Sequence, residues 1–368
     1  MQQIRIKSEE LKSFFIQVFQ SYEFNYQQSA YLADGLLFAS LKGIDTHGIR
    51  LFPVYCKQFD SGYINCKPNF TIAGSHGSFI QINADYSPGL LSGCVATKIA
   101  IEKAHKYGIS VVAVEKSNHY GASSYYTTQM AENNCIGISM TNSDPLVAVS
   151  GSIEPTIGTN PISIAVKYGR ERYFCLDMTT SQTSFSKIKL FGEKNMKLDR
   201  GWAQNRTGKH AMFAEDVYAM LPLGGYKGSG LGMAIDILCS GLSQGAFTNN
   251  ISPVLGNKRI NEKDAVSHLF IAISLKKVKN FESKIKNFLT YVRDIESIKK
   301  NEQVRVPGDR SEKFFKKRTS LGIPVTPKQL EQIQEIALNH KIKPPFLEEK
   351  AELKSFVQEP MQKVYAFY

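Results

Sequence analysis

Tryptophan, paired cysteines and long apolar runs are scarce or missing in this chain. A single Trp stands among 368 residues, so Tyr and Phe supply nearly all the aromatic surface. The six cysteines are Cys56, Cys66, Cys94, Cys135, Cys175 and Cys239. None forms a C-x-x-C pair, and no short Cys/His cluster has zinc-ligand spacing, so no metal site is expected. Thiols scattered along a long chain fit a reducing compartment, and a cytoplasmic location is expected. No apolar run approaches the roughly 18–20 residues that span a bilayer. The start, Met1-Gln2-Gln3-Ile4-Arg5-Ile6-Lys7, lacks the apolar region of a signal peptide, so no membrane association is expected. Two nucleotide-binding signatures are also missing. There is no P-loop. The nearest approach to a Rossmann fingerprint is Gly228-Ser229-Gly230-Leu231-Gly232, whose third glycine comes one residue early and which no clear strand precedes.

Acidic residues are fewer than basic ones, 33 against 45, giving a net charge of +12. Much of the excess lies in the segment 276–318. Such a face can attract nucleic acid, steer an anionic cofactor or substrate, or simply be a solvated helix surface. No recognition-helix signature or aromatic-interleaved groove accompanies it. A basic nucleic-acid-associated protein is therefore only the competing class, and nucleic acid is not an expected partner.

What is present is a long, mixed pattern. The length implies two domains or one large α/β domain. Leu11, Phe14, Phe15, Val18 and Phe19 keep helical spacing, as do Ala30, Ala33, Leu36, Leu37 and Leu41. Strands are expected near 68–84, 109–114, 136–141, 162–166, 172–176 and 268–275. Helices are expected at 88–105, from 228, and near 280–298, 311–319 and 327–340. The order predicts an α/β core at 71–299 with a helical domain built from both chain ends, 1–70 and 300–368. The stretch 343–368 reads as an arm or a loose tail.

Few segments combine groups able to do chemistry. His119, in Ser117-Asn118-His119-Tyr120-Gly121, follows a buried strand, where ligands gather in α/β folds. A histidine there can exchange a proton near neutral pH; the bland reading is a satisfied loop histidine. His47 lies in Asp45-Thr46-His47-Gly48-Ile49-Arg50, which joins an imidazole, a carboxylate and a guanidinium. Arg50 could hold a substrate carboxylate in bidentate fashion, or the stretch could merely be a capped helix start. Gly158-Thr159-Asn160-Pro161 and Asp177-Met178-Thr179-Thr180-Ser181 offer hydroxyls, an amide and a carboxylate suited to ribose and amide recognition, or form tight turns. His76, His105, His210 and His268 stand without sequence partners and read as surface or core residues.

Taken in order, these segments resemble the malate/L-lactate dehydrogenase family, whose members lack a Rossmann fold. The matching stretches are Gly43 to Arg50, Ser117 to Gly121, Thr141-Asn142-Ser143, Gly158 to Pro161, Asp177 to Ser181, Leu223-Gly224-Gly225-Tyr226-Lys227-Gly228 and Val306-Pro307-Gly308. The resemblance implies a non-Rossmann mixed-sheet nicotinamide-binding domain plus a helical domain from both termini. It implies reversible hydride transfer between NAD or NADP and a 2-oxo acid or its 2-hydroxy partner, or in some members a cyclic imine acid. It also implies a homodimer acting on a small carboxylate, with the site near the subunit contact. By position, His119 would be the general acid/base and His47 a second acid or substrate ligand. Arg50 and Thr159 would meet the substrate. Ser123, Ser143, Asp177, Met178, Thr179, Lys227, Pro307, Gly308 and Asp309 would meet the cofactor. The chain also departs from the pattern. Leu51 stands where several members carry the carboxylate-binding Arg, and Asp309 stands where Glu is usual.

Overall fold

The computed structural model describes residues 4–256, 258, 265–299 and 302–344. The amino-terminal elements are β1 (Ile4–Ile6), α1 (Ser8–Ser21), α2 (Tyr26–Leu41) and α3 (Phe52–Asp60). The chain then enters the main sheet through β2 (Thr71–His76) and β3 (Phe79–Asn83). Helix α4 (Gly89–Tyr107), β4 (Ile109–Ser117), α5 (Ser124–Glu132) and β5 (Cys135–Thr141) follow. Two short strands, β6 (Val147–Ala148) and β7 (Pro155–Ile157), precede the hairpin of β8 (Ile162–Gly169) and β9 (Arg172–Met178). Next come α6 (Phe185–Glu193), β10 (Ala203–Gln204), β11 (Ala219–Met220) and α7 (Tyr226–Asp236). The last elements are β12 (Val266–Ser274), α8 (Phe281–Asp294), α9 (Asp309–Leu321), β13 (Ile323–Val325) and α10 (Pro327–Asn339).

The main sheet has seven strands in the order β2-β3-β4-β12-β5-β8-β9. Only β3 and β4 pair in parallel within it; its other neighbours are antiparallel. The mixed sheet expected from the sequence is therefore present. Because β12 runs against both β4 and β5, those two strands end on the same edge. Strand β9 runs with β5, since β8 opposes each of them, so its carboxyl end reaches that edge too. This one topological fact gathers the loops after Ser117, Thr141 and Met178, together with the Thr159 turn that leads into β8.

Several elements were hidden in the sequence. The helices α3, α5 and α6 were not anticipated, nor were the four-stranded sheet β10-β11-β6-β7 and the pairing of β1 with β13. The stretch Asp45 to Leu51 is not a regular helix start but two 3-10 turns leading into α3. Short or two-residue elements carry too little periodicity to be read from pattern alone.

The amino-terminal helices close over an aromatic core. Phe14, Phe15, Phe19 and Phe52 are all fully buried, and the rings of Phe15 and Phe52 stack at 4.2 Å. Each such side chain contributes about 1.5–3 kcal/mol on burial, so α1 and α3 are joined through carbon rather than charge. The carboxyl-terminal part is tied into the same region. Ile6 pairs with Ile323 in β13, and the buried Arg318 of α9 donates to the carbonyl of Ser40 and to Asp45. All six cysteines are free. Among the described residues no helix is long and apolar enough to cross a membrane. The tail from 345 onward lies outside the described residues.

Candidate active site

The loop that carries His119 is fixed on both sides of the imidazole. Asn118 donates its amide to the carbonyls of Tyr86 (2.7 Å) and Ser87 (2.8 Å). Tyr126 donates its hydroxyl to the Tyr120 carbonyl at 2.5 Å. A side chain at Gly89 would overlap the Asn118 carbonyl at 2.1 Å, so only glycine lets α4 start so close beneath the loop. Gly121 turns the chain with φ +74°, a left-handed conformation that suits glycine.

His47 is brought to the same place from the other side. Its 3-10 turn is held by the Ile49 amide donating to Ser40 Oγ (2.9 Å) and by Arg318, whose Nη2 reaches Asp45 at 3.0 Å. The His47 and His119 rings stack at 5.5 Å with an interplanar angle of 13°. Both are half-buried. Burial holds the His47 imidazole at about 4, well below the ordinary histidine range. Burial first, and then the neighbouring His47 and His268, holds His119 at about 3. Two stacked imidazoles cannot easily be charged together, so each favours the neutral form of the other.

A residue that sequence pattern did not single out completes the pair. Tyr55, on α3, places its hydroxyl 2.8 Å from His119 Nδ1. The Gly121 N–H also points at Nδ1, at 3.4 Å. Neutral His119 can carry its proton on Nε2, with Nδ1 accepting, or on Nδ1, with Nε2 bare. A phenol hydroxyl can donate or accept. Tyr55 can thus donate to a bare Nδ1 and accept from Nδ1–H, whether that ring is neutral or charged. Burial pushes the Tyr55 hydroxyl well above its usual range, so it stays a neutral phenol throughout. The signal that could have found it is the helix it lies on, since α3 follows directly from the His47 turn.

The other anticipated residues fall into three groups and two single positions. Ser143, Thr159 and Thr179 form one hydrogen-bonded cluster at the sheet edge. Thr159 N–H donates to Ser143 Oγ at 3.1 Å, and Thr179 Oγ1 donates to the Thr159 carbonyl at 2.7 Å. Asn160 Oδ1 accepts from the Ser143 N–H at 3.2 Å. Asp177 accepts from the Ser124 N–H at 3.0 Å and so sits at the start of α5, beside Ser123, with Met178 next to it on the same strand. Ser123 is buried and shares a 2.6 Å bond with the Tyr120 hydroxyl.

Pro307, Gly308 and Asp309 pack against β9 instead. The Cys175 N–H donates to the Pro307 carbonyl at 3.1 Å, and a side chain at Gly308 (φ +107°) would strike the Tyr173 carbonyl at 2.5 Å. Asp309 is held by Arg293 through two bonds, of 2.6 and 3.1 Å, and accepts the Val306 N–H at 2.9 Å. Lys227 is exposed in the first turn of α7. Arg50 pairs with Glu193 at the end of α6, through one contact of 2.5 Å. No described hydrogen bond joins Lys227, Asp309 or Arg50 to the histidine pair. Among the described residues, no group of three or more His, Cys, Asp or Glu side chains is placed to hold a metal ion.

A stacked histidine pair and a hydroxyl-rich cluster thus share the carboxyl edge of a mixed α/β sheet in a chain with no Rossmann fingerprint. Comparison with known proteins supplies the class. The family model described as malate/L-lactate dehydrogenase matches residues 6–334, and the chain belongs to that family. It is 35% identical over 348 residues to a malate dehydrogenase of Pyrococcus abyssi, covering 91% of this chain and 94% of the relative. It is 32% identical to a malate/(S)-sulfolactate dehydrogenase of Methanothermus fervidus, covering 90% and 97%. The crystal structure of malate dehydrogenase from Entamoeba histolytica superposes with a TM-score of 0.89 at 26% identity, covering 94% of this chain and 100% of that one.

Proposed function

We propose that this chain interconverts a 2-oxo acid and a 2-hydroxy acid, with His119 as the proton-transfer group. The observation that carries the proposal is the His119 ring held between Tyr55 and His47. In the oxidative direction a base must take the proton of the substrate hydroxyl. Neutral His119 can take it at Nε2 when its own proton is on Nδ1, where the Tyr55 hydroxyl accepts it. In the reductive direction the ring must first be charged. A bound carboxylate supplies a nearby negative charge, which raises the histidine pKa and favours the imidazolium. Tyr55 then accepts from Nδ1–H, so the proton to be delivered leaves from Nε2. His47 serves as a second acid or substrate ligand, and Arg50 with Thr159 orients the carboxylate.

NAD or NADP would supply the hydride. The residues present fit such a group: the Ser143, Thr159 and Thr179 hydroxyls and the Asp177 carboxylate have the chemistry that recognises ribose and carboxamide. Ser123, Met178, Lys227, Pro307 and Gly308 complete the proposed cofactor surface. Asp309 is already committed to Arg293, so it gives no basis for choosing between the two cofactors.

The same reading includes an α/β unit at 71–299 with a helical unit from both termini, supported by the β1–β13 pairing and the Arg318 contacts. It also includes a homodimer. Leu223, Tyr226, Leu231, Met233 and Ile237, on α7 and at its two ends, are exposed apolar side chains that a second copy of the chain would cover. A cytoplasmic setting accords with the free thiols. A cyclic imine carboxylate remains a second substrate class, because it needs the same hydride and the same proton donor.

The test is a screen of 2-oxo acids and cyclic imine acids with NADH and NADPH, followed by absorbance. Turnover on at least one carboxylate is expected; none with any pair would refute the reading. His119→Ala should lose roughly 10²–10⁴ in kcat while cofactor still binds. Near-normal turnover would move the proton chemistry elsewhere.

A further inference from the structure

His268 has no part in the scheme above, yet it is fully buried at the start of β12, between β4 and β5. Its Nε2 lies 2.7 Å from Ser117 Oγ, and its Nδ1 lies 2.7 Å from Thr141 Oγ1. Ser117 ends β4 and opens the loop that carries His119. Thr141 ends β5 and opens the loop that carries Ser143. One imidazole therefore ties the acid/base loop to the loop expected to meet the cofactor.

The direction of the Thr141 bond follows from the acceptors nearby. Thr141 Oγ1 lies 2.9 Å from the Asn142 carbonyl and 3.0 Å from the Ser267 carbonyl. Both are acceptors only, so the single hydroxyl hydrogen of Thr141 goes to one of them. Its oxygen then accepts from His268 Nδ1–H. Nε2 meets the Ser117 hydroxyl, whose oxygen is backed by Ser92 Oγ at 2.7 Å. The same ring lies flat on Tyr120, the residue after His119, at 4.6 Å and 8°. Tyr120 in turn reaches Ser123. His268 thus touches the residues that frame His119 on one side and the cofactor-facing edge on the other.

We propose that His268 is a positioning residue that sets the distance between the proton-transfer group and the bound nicotinamide. The proposal rests on the reading of His119 and Ser143 given above. A structural role and a positioning role differ in what they change. Lost structure lowers the number of competent sites; lost alignment lowers the rate at each site.

The experiment uses His268→Phe, which keeps the ring on Tyr120 but removes both hydrogen bonds. Thr141→Val and Ser117→Ala each remove one tether and keep the test alive should the Phe variant fail to fold. Cofactor-binding sites are counted by fluorescence titration, and kcat is expressed per site. The expected result is a fall of roughly 10–100-fold in kcat per site for the Phe variant, and a smaller fall for each single-tether variant. Cofactor affinity should stay within about threefold. Wild-type turnover with unchanged kcat per site in every folded variant would overturn the positioning role. Absence of turnover in the wild type would instead overturn the reading on which it rests.

Discussion

Two ion pairs flank the site, and they are built differently. Arg293 and Asp309 meet through two bonds, with side chains only 16% and 24% exposed. Arg293 also donates to the Tyr168 hydroxyl at 2.7 Å. Arg50 and Glu193 meet through one contact, with side chains 29% and 47% exposed. The first pair is held at several points, so it fixes α8 against the start of α9. The second leaves most of the Arg50 fork unused. A guanidinium held by one exposed carboxylate is easily handed to another carboxylate, because such a surface pair contributes about 0–1 kcal/mol. On the proposed reading, the contrast leaves Arg50 for the substrate, while Arg293 holds Asp309 in the scaffold.

The largest effect should come from removing the available cation. Arg50→Met should raise KM for carboxylate substrates by roughly 10–100-fold, the loss of a charged hydrogen bond of about 1.5–3 kcal/mol. Steady-state kinetics on the substrate found in the screen measure it, and kcat should change far less. An unchanged KM would make Arg50 as structural as Arg293 and erase the contrast.

Asp309→Asn should act on stability instead. It leaves a half-buried guanidinium short of its charge partner and should cost about 1–3 kcal/mol in urea unfolding, with little change in KM for either substrate or cofactor. The sign with pH follows from the Asp309 carboxyl. Burial alone would raise it, but the Arg293 hydrogen bonds and charge outweigh burial and hold it below the usual carboxylate range. The unfolded chain therefore binds its proton first as the pH falls. The stability from Asp309 is complete above the ordinary value of about 3.9 and drains away as the pH drops through the lowered one. The Asn variant should lack that acid-side loss. A large KM change for cofactor in this variant would return Asp309 to the ribose contact that the family pattern implies.

The contrast also shows what the sequence could reveal. The ordered short segments announced the family, the mixed sheet and the meeting of His47 with His119, because each segment sits at a strand end that topology gathers. Long helices such as α1 and α4 were legible from their apolar spacing. Tyr55, Glu193 and the tethers of His268 were not. Their partners lie far off in sequence, and α3 and α6 are too short to announce a face. The partner of Asp309 was not legible for the same reason. Arg293 lies one loop earlier, and only folding brings its guanidinium onto that carboxyl.

The smallest effect is also the most selective. If Glu193 merely occupies Arg50 until substrate arrives, the two carboxylates compete for one guanidinium. Glu193→Gln then removes the competitor without removing the cation, and KM should fall by a few-fold, the worth of an exposed pair. If Glu193 instead aims Arg50 at the substrate, the same change should raise KM, since the freed side chain would lose its orientation. Raising the ionic strength separates the two further. Screening weakens an exposed pair, so competition predicts that wild type and variant converge in salt. An aiming role predicts that the wild type alone worsens. Glu193→Gln thus decides whether α6 restrains Arg50 or directs it, a question that the Arg50→Met result alone leaves open.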